Sequence, residues 1–433
     1  MTTLAEVKLW GTTIGAVAME EGQQTATFQY DSAFVTSGIE VAPLMMPLGN
    51  RTFSFPALSQ TSFHGLPGLL ADSLPDKFGN ALINNWLARQ GRSPESFNAV
   101  ERLCYTGSRG MGALEFVPAT GPAPARDAVL AVDRLVKLAS EILSHRDQLQ
   151  TSFGTDSAEA MADILRVGTS VGGARAKAVI AWNRGTNEVR SGQTALPEGF
   201  EHWLIKFDGV SNNRDKEFAD PKGYGLIEYA YSKMATDCGI AMSECRVLAE
   251  SGRNHFMTRR FDRPGNDKLH MQSLAAMAHL DFNMAGAHSY EQAFDVMRRL
   301  DMPATMTAEL YRRMIFNVIA RNQDDHVKNI AFLMDRTGHW SLAPAFDMTY
   351  SYQPSGRWTS SHQMTINGKQ DHFTLEDFER CGKAARLKRG QHKTILHQAR
   401  QVVSRWRDYA EDADVKPSQR DAIQNTLRLD DLR

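Results

Sequence analysis

Three polar residues near the middle of the second half of the chain constrain its fold more than any other feature. Asn329 follows Asp324 by five positions, and Asp347 follows Asn329 by eighteen. This is the spacing of a protein-kinase catalytic loop and its metal-binding aspartate. In that arrangement the first aspartate accepts the proton of the acceptor hydroxyl. The asparagine and the second aspartate hold Mg²⁺ against the phosphates of ATP. The spacing therefore predicts a site for phosphoryl transfer.

The segments on either side of these residues fit the same arrangement. The apolar spacing of Arg313–Ala320 predicts a helix that leads into the loop. Asn329–Leu333 and Trp340–Ala343 have the pattern of a short hairpin, turned at Asp335–Gly338. The alternative is a solvated acidic turn without a catalytic role, and this segment alone leaves that alternative open.

Composition excludes several classes of protein. A length of 433 residues predicts two or three domains, and a net charge of -1 offers no global positive field for nucleic acid. Any contact with DNA must be local or made through a partner. The four cysteines form no CxxC pair, which argues against a zinc site or disulfides and favours a reducing cytoplasm. No apolar run approaches the roughly 20 residues of a membrane span, so no membrane contact is expected.

The order of segments is that of an α+β, protein-kinase-like two-lobe fold, with a β-rich N-terminal part and a mainly helical C-terminal lobe. We expect a small mixed α/β subdomain over residues 1–117, a β-rich nucleotide-binding lobe over 127–263 and a helical catalytic lobe over 264–433. The Pro- and Ala-rich stretch 118–125 is the clearest linker. Residues 78–87 have helical spacing.

A segment with two adjacent glycines is the candidate phosphate-binding loop, because such glycines let backbone N–H groups approach phosphate oxygens. It matches neither a Walker A loop nor a GxGxxG loop, so an ordinary hairpin turn before the next strand is the alternative. The candidate residues are Ser170, Val171, Gly172, Gly173, Ala174, Arg175 and Lys177.

Three further positions supply the remaining parts of a nucleotide site. Lys206 lies in a predicted strand and could bind the α- and β-phosphates, or it could simply be exposed. Glu228, near the start of a predicted helix, could orient that lysine or be solvated. Phe256–Arg263 would be the hinge that contacts adenine, or an ordinary edge strand with a salt-bridged rim.

Taken together, these segments resemble the HipA family of serine/threonine kinases, the toxin half of bacterial HipA–HipB toxin–antitoxin pairs. The resemblance covers nearly the whole chain. It rests on the loop Ser170–Lys177, the hinge Arg260–Arg263, the catalytic loop Asp324–Asn329, the metal-site triplet Ala345–Asp347 and the helix start Leu70–Asp76. The order and spacing of these pieces make the match specific.

The resemblance implies a role for each matched residue of the catalytic loop. Asp324 is the base, His326 supports the loop, and Lys328 steadies the transferring phosphoryl group. Asn329 and Asp347 hold Mg²⁺.

In the other lobe, the resemblance assigns phosphate binding to Lys206 and adenine contact to backbone groups of Arg259 and Phe261. Ser170 is the expected autophosphorylation site. A dianionic phosphate there would repel the γ-phosphate of ATP and inactivate the protein.

Two residues depart from the family pattern. Asp325 stands where the family has glycine, and Arg175 where it has glutamine. We expect Asp325 to place a negative charge beside the metal and Arg175 to bind phosphate or to change the dynamics of the loop.

The function implied by the resemblance is that of an ATP- and Mg²⁺-dependent serine/threonine-protein kinase in the cytoplasm, acting as a toxin. Its candidate substrate is an aminoacyl-tRNA synthetase. Its expected partner is a helix-turn-helix antitoxin of the HipB type, with which it would bind operator DNA. One alternative is a pseudokinase co-repressor, which Asp325 and Arg175 favour. The other is a metal-dependent phosphohydrolase that uses Asp324, Asp325, His326 and Asp347.

A cluster of five cations is the only local candidate for DNA contact. The alternative is a solvated helix end whose cations are favoured by the helix dipole. The cluster consists of Lys383, Arg386, Lys388, Arg389 and Lys393.

Overall fold

The N-terminal part of the molecule is built on an antiparallel sheet of five strands in the order β4-β3-β2-β1-β5. The computed structural model describes residues 2–122, 130–144, 164–165, 168, 175–193, 195–210 and 222–430. The strands of this sheet are β1 Thr3–Leu9, β2 Thr12–Met19, β3 Thr27–Tyr30, β4 Thr52–Phe53 and β5 Leu114–Val117.

Five short helices lie along the chain between β3 and β5. They are α1 Ser32–Val35, α2 Gln60–Phe63, α3 Gly68–Ala71, α4 Lys77–Arg89 and α5 Ala99–Thr106, with a 3₁₀ turn at Pro94–Ser96. Helix α4 contains the predicted helix and begins after Asp76, whose carboxylate caps it by accepting a hydrogen bond from the Gly79 N–H at 2.7 Å.

The described start of the predicted linker packs against α5, where the Thr120 N–H donates to the Cys104 carbonyl at 3.0 Å. The following helix is α6, Val132–Ser144.

A second sheet of five strands, in the order β7-β6-β8-β10-β9, forms the middle of the molecule. Its strands and the helix that packs on them are β6 Lys177–Asn183, β7 Val189–Ser191, β8 Phe200–Lys206, α7 Tyr224–Asp237, β9 Cys245–Glu250 and β10 Arg253–Arg259.

Helix α7 lies unusually close to β10. A Cβ added at Gly225 would lie 2.4 Å from the Asn254 carbonyl oxygen, so only glycine permits this approach. The close contact brings the first two turns of α7, and with them Glu228, to the end of the sheet. The other face of the sheet packs on α4 and α6 through residues such as Phe78 and Val136.

The C-terminal lobe is mainly helical. Its helices are α8 Leu274–Ala278, α9 Tyr290–Arg299, α10 Ala304–Ile319, α11 Leu375–Ala384, α12 Gln391–Val403, α13 Trp406–Asp412 and α14 Pro417–Gln424. Its strands are β11 His270–Ser273, β12 His288–Ser289, β13 Ala331–Met334, β14 Trp340–Leu342 and β15 Met364–Thr365. The predicted helix before the catalytic loop and the hairpin after it are both present, as α10 and as β13 with β14.

The N-terminal part and the C-terminal lobe share one hydrophobic core. Leu70 of α3, Leu274 of α8 and Phe316 of α10 are all buried in it. The two parts approach so closely that a Cβ at Gly68 would lie 2.3 Å from the Ala276 carbonyl oxygen. The N-terminal part is therefore fixed against the catalytic lobe. Within the described part of the chain, no helix is long and apolar enough to cross a membrane.

Candidate active site

A cleft of about 1320 Å³ lies between the second sheet and the C-terminal lobe, and residues of the N-terminal part close one side of it. The candidate residues that line it are Arg175, Lys177, Lys206, Glu228, Arg259, Phe261, Asp324, His326, Lys328, Asn329 and Asp347. The structure therefore brings together all the predicted nucleotide, catalytic and metal residues that it describes. Ser170, Val171, Gly172, Gly173 and Ala174 lie outside the described residues.

Lys206 stands at the centre of this cleft. It ends β8, only 6% of its surface is exposed, and its ammonium donates to Glu228 Oε1 at 2.5 Å. The same ammonium also pairs with the Asp347 carboxylate. Glu228 is almost completely buried. Neither an exposed strand lysine nor a solvated helical glutamate describes this pair.

The charges of Lys206 and Asp347 stabilise each other. Burial alone would lower the pKa of Lys206, but the carboxylates of Asp347 and Glu228 raise it above its ordinary value. Burial would raise the pKa of Asp347, whereas the ammonium groups of Lys206 and Lys177 lower it to about 2. Asp347 is therefore a carboxylate at neutral pH, the form that a cation ligand requires.

Arg175 shares Glu228 with the lysine. Its Nη1 donates to Glu228 Oε2 at 2.9 Å, and its guanidinium carbon lies 4.8 Å from the centre of the Tyr224 ring. Glu228 thus accepts one cation on each oxygen. Whether Arg175 also binds phosphate or changes the dynamics of the loop stays a prediction.

Lys177 connects the second sheet to the N-terminal part. This lysine begins β6 opposite Lys206, is buried, and places its Nζ 3.4 Å from Asp76 Oδ2. Burial raises the pKa of Asp76 to about 6, although Lys177 and the Gly79 N–H act to lower it. Burial also lowers the pKa of Lys177, against the attraction of Asp76. From the sequence, Asp76 was matched only as part of the helix start Leu70–Asp76, with no role in the cleft.

The catalytic loop alternates between the cleft and the interior. Asp324, His326 and Lys328 line the cleft, whereas Asp325 and Val327 are buried beneath it. The side chain of Asp324 is 51% exposed, and His326 Nε2 lies 3.8 Å from its carboxylate. The loop then turns at Val327 and Lys328, where the Asn329 N–H donates to the His326 carbonyl at 2.8 Å. This arrangement leaves the Asp324 carboxylate accessible to an acceptor hydroxyl.

Lys328 is oriented by the N-terminal part. Its Nζ lies 3.9 Å from Asp72 Oδ1 and 4.6 Å from the centre of the Phe282 ring. Asp72 is itself fixed, because its carboxylate accepts hydrogen bonds from the Ser273 N–H at 2.6 Å and from the Ser273 hydroxyl at 2.9 Å. Asp72 is a second site residue that the sequence analysis missed, since nothing local links it to a loop more than 250 positions away.

Asp325 is buried beneath the cleft. Its carboxylate accepts hydrogen bonds from Tyr290, His362 and Gln363. It also lines a small cavity together with Asn329 and Asp347, so its charge lies close to the candidate metal residues. The effect of that charge on a bound metal stays a prediction.

Asn329 and Asp347 offer a donor set that fits Mg²⁺. Asn329 Nδ2 donates to the Asp324 carbonyl at 2.8 Å, which leaves Oδ1 as the oxygen that can bind a cation. Mg²⁺ is bound by one or two protein oxygens together with water and substrate phosphates. Among the described residues there is no cluster of three or more His, Cys, Asp or Glu residues that would suit a different metal.

The hinge segment is anchored to the rest of the molecule. The Arg259 N–H donates to the Glu244 carbonyl at 2.9 Å. The Asp262 carboxylate accepts from Arg260 at 2.6 Å, from Arg263 at 2.8 Å and from the Gly112 N–H at 2.8 Å. These contacts fix the backbone next to Phe261.

The five cations of the predicted DNA cluster are all exposed. Arg386, Lys388 and Arg389 lie on the turn between α11 and α12, Lys383 lies in the last turn of α11, and Lys393 lies in the first turn of α12. None of them lines the cleft. Lys383 pairs with Glu379 of its own helix at 2.8 Å. Lys393 lies in the first turn of α12, where the helix dipole disfavours a cation, so the dipole does not explain the whole cluster.

Comparisons with known proteins agree with this geometry. A solved structure from Shewanella oneidensis MR-1, of a toxin–antitoxin system with HipA, HipB and operator DNA, has the same fold with a TM-score of 0.65 and 17% identity. The superposition covers 98% of this chain and 94% of that one. The predicted α+β, kinase-like fold is thereby confirmed.

Two curated relatives are described as putative kinases. One, from Haemophilus influenzae, is 27% identical over 144 residues, which are 29% of this chain and 42% of the relative. The other, Y4mE from Sinorhizobium fredii, is 25% identical over 126 residues, 27% of this chain and 30% of the relative. The matched region thus spans less than half the length of either relative.

Family models cover both parts of the chain. The model described as the HipA N-terminal domain matches residues 5–117, and the model described as the HipA-like C-terminal domain matches residues 169–406, more than half of the chain. The latter match includes the whole nucleotide and catalytic constellation. The resemblance seen in the sequence is confirmed, and the chain belongs to the HipA family.

Proposed function

We propose that this protein is an ATP- and Mg²⁺-dependent serine/threonine-protein kinase. One observation carries the proposal: Lys206 pairs with Glu228 on one side and with Asp347 on the other, inside a cleft that also presents Asp324. A lysine held by a helical glutamate, next to a metal-binding aspartate, is the arrangement that an active protein kinase requires. Membership of the HipA family supports the same function.

Each residue of the cleft then has a distinct task. Lys206, held in place by Glu228, binds the α- and β-phosphates of ATP. Asn329 and Asp347 would hold Mg²⁺, which neutralises charge on the phosphates when it is bound. Asp324 accepts the proton of the attacking hydroxyl, and its half-exposed carboxylate is accessible for that purpose.

On the acceptor side, Lys328 is available to stabilise negative charge on the transferring group, because Asp72 and Phe282 orient its ammonium. His326 lies beside Asp324 and supports the loop. The Arg259 carbonyl and the backbone of Phe261 would contact adenine. Ser170 is the proposed site of autophosphorylation, by which the kinase would inactivate itself.

The biological role that we infer is that of a cytoplasmic toxin. The related fold from Shewanella oneidensis was solved with HipB and operator DNA. We infer that this chain likewise binds a helix-turn-helix antitoxin and, with it, operator DNA. A serine or threonine of a cytoplasmic protein is the proposed acceptor, with an aminoacyl-tRNA synthetase as the candidate to test first.

Of the two alternatives, the phosphohydrolase would not need Lys206, so the pairing of Lys206 with Glu228 and Asp347 favours the kinase. The pseudokinase is favoured by Asp325 and by Arg175. Arg175 shares Glu228 with the lysine and so competes for the group that orients it.

The test is transfer of labelled γ-phosphate from ATP to protein by the purified chain, with Mg²⁺ and with a chelator. We expect transfer that requires Mg²⁺ and that Asp324→Ala abolishes. Asp335→Ala, on the exposed turn of the β13–β14 hairpin, is the control and should leave transfer unchanged. Nucleotide binding without transfer would identify a pseudokinase, and release of phosphate from monoesters without ATP would identify a phosphohydrolase.

A further inference from the structure

The carboxylate of Asp325 is the centre of a buried polar network beneath the catalytic loop. The residue is 3% exposed, yet its two oxygens accept three hydrogen bonds. Oδ2 accepts from the Tyr290 hydroxyl at 2.9 Å and from His362 Nδ1 at 2.9 Å, and Oδ1 accepts from the Gln363 N–H at 2.8 Å. A buried carboxylate with three donors is well satisfied, and removing it would leave three buried donors unpaired.

The network fixes which ring nitrogen of His362 donates and which accepts. Arg428 Nη1 lies 2.9 Å from His362 Nε2, and a guanidinium can only donate. Nε2 is therefore the acceptor, and the proton of the neutral ring resides on Nδ1, from which it is donated to Asp325. The order of donation runs from Arg428 to His362 to Asp325.

Arg428 ties this network to the end of the described chain. Its guanidinium also pairs with Asp371, and its backbone N–H donates to the Ile319 carbonyl at the end of α10 at 3.0 Å. Helix α10 leads directly into the catalytic loop. The segment after α14 is thus packed behind the loop rather than hanging free of it.

Asp325 joins two segments that both lead to the active site. It lies between Asp324 and His326 of the catalytic loop. Its partners His362 and Gln363 end the segment 347–363, which starts at the metal-site residue Asp347. That segment is therefore held at both ends, by Lys206 at Asp347 and by Asp325 at His362 and Gln363.

We propose that Asp325 is a positioning residue, which locks the catalytic loop to the end of the segment 347–363 through His362 and Arg428. This inference rests on the proposed kinase function. These contacts would hold Asp324 toward the acceptor hydroxyl and keep the acceptor side of the cleft in one arrangement. No covalent modification of the segment 347–363 would be needed for this.

Two features of the network support this role. Burial would raise the pKa of Asp325, but His362, the Gln363 N–H and the Tyr290 hydroxyl lower it, so the group stays an acceptor. Tyr290 is fixed in turn, because its hydroxyl accepts from Asn317 Nδ2 of α10 at 3.1 Å. All three donors to Asp325 therefore belong to buried residues of the C-terminal lobe.

The test combines kinetics with hydrogen exchange on the full-length protein. Asp325→Asn replaces one acceptor oxygen with an amide donor, so that either the Gln363 N–H or the pair of donors from His362 and Tyr290 faces another donor, and both contacts are weakened by the loss of the charge. This variant should lower kcat roughly 10- to 100-fold while the KM for MgATP stays unchanged. Exchange of the Gln363 amide should become faster. His362→Gln can still donate to Asp325 and accept from Arg428, so it should retain more activity than His362→Phe.

Asp377→Asn is the matched control. Asp377 is equally buried, and it accepts hydrogen bonds from Asn367 and Lys369 away from the cleft. This variant should lower the melting temperature without changing kcat or the exchange of Gln363. Equal loss of kcat in both variants, or wild-type kcat in Asp325→Asn, would overturn the proposal.

The exchange measurement separates this inference from the kinase assignment. If the wild-type protein transfers no phosphate, the proposed function fails. Hydrogen exchange of the Gln363 amide, measured without nucleotide, still tests whether Asp325 holds the catalytic loop to the segment 347–363. Faster exchange of Gln363 in Asp325→Asn but not in Asp377→Asn would support it. Unchanged exchange in Asp325→Asn would refute it.

Discussion

Lys206 Nζ lies 2.5 Å from Glu228 Oε1, and the two residues come from the end of β8 and the second turn of α7. This ion pair depends on the close packing of α7 on β10, which Gly225 permits. The pair fixes the direction of the lysine, and Asp347 shares the same ammonium. The nucleotide site is therefore organised by the fold before any nucleotide binds.

The first prediction concerns this lysine. Lys206→Ala should raise the KM for ATP and lower kcat, because a point charge on the phosphates stabilises both the bound substrate and the transition state. Lys233→Ala, an exposed lysine of the same helix as Glu228, is the control. Titration calorimetry with MgATP measures the affinity. Equal affinity and rate in Lys206→Ala and wild type would contradict the assigned role.

Replacing Asp324 and replacing Asp347 should have different effects on kcat and on MgATP binding. Asp324→Ala should lower kcat by about 10²- to 10⁴-fold, the usual contribution of a general base, and leave MgATP binding nearly intact. Asp347→Ala should lose transfer and also bind MgATP more weakly, since it removes a cation ligand. Calorimetry and phosphate transfer, measured on the same preparations, distinguish the two. Weak MgATP binding by Asp324→Ala would show that the roles are wrongly assigned.

The pair of Asp76 and Lys177 predicts a pH-dependent stability. Burial raises the pKa of Asp76 from 3.8 to about 6. This shift corresponds to a change of about 3 kcal/mol in the free energy of unfolding. A raised pKa means that the folded state binds the proton more tightly. The stabilisation that the folded protein gains by binding a proton at Asp76 is therefore fully present below pH 4, and it is lost as the pH rises to about 6.

The measurement is the unfolding free energy of wild type minus that of Asp76→Asn, from pH 4 to pH 7. This difference should fall as the pH rises toward 6 and then level off, because asparagine does not titrate. Asp377→Asn provides a comparison, since the pKa of Asp377 is lowered rather than raised. A difference that does not vary over this range would mean that Asp76 is not perturbed by its burial.

Autophosphorylation can be tested at a residue outside the described part of the chain. Ser170→Ala should remain active and lose the modification, whereas Ser170→Asp should bind ATP more weakly, since its charge would repel the phosphates. Mass spectrometry of protein incubated with MgATP locates the modified residue. Phosphate found only at other positions would exclude self-inactivation through Ser170.

Local patterns in the sequence predicted most of the chemistry, and contacts between distant segments explain what they missed. The Asp324–Asn329 spacing identified the catalytic loop, and strand and helix periodicity placed Lys206 and Glu228. The buried donors of Asp325 could not be predicted, because only the folded chain brings Tyr290, His362 and Gln363 to it. Asp72 could not be found in this way, because only the folded chain brings it to Lys328.

The last prediction concerns the cations on the turn between α11 and α12. Free protein should bind DNA weakly at physiological salt, because the net charge of the chain is -1. Once a helix-turn-helix antitoxin places the kinase on its operator, the exposed cations would contact phosphates, which adds affinity but little sequence information. Replacing Lys388 and Arg389 by glutamine should then weaken the ternary complex and reduce the slope of log K against log salt by about one per lost contact.

The double variant should keep full phosphate transfer, because neither Lys388 nor Arg389 lines the cleft. Lys233→Gln, an exposed cation on α7, serves as the matched control for a general loss of positive charge. Gel-shift titrations at several salt concentrations measure the slope. If the slope is the same in the double variant, the control and the wild type, the cluster is a solvated turn and the DNA is bound by the antitoxin alone.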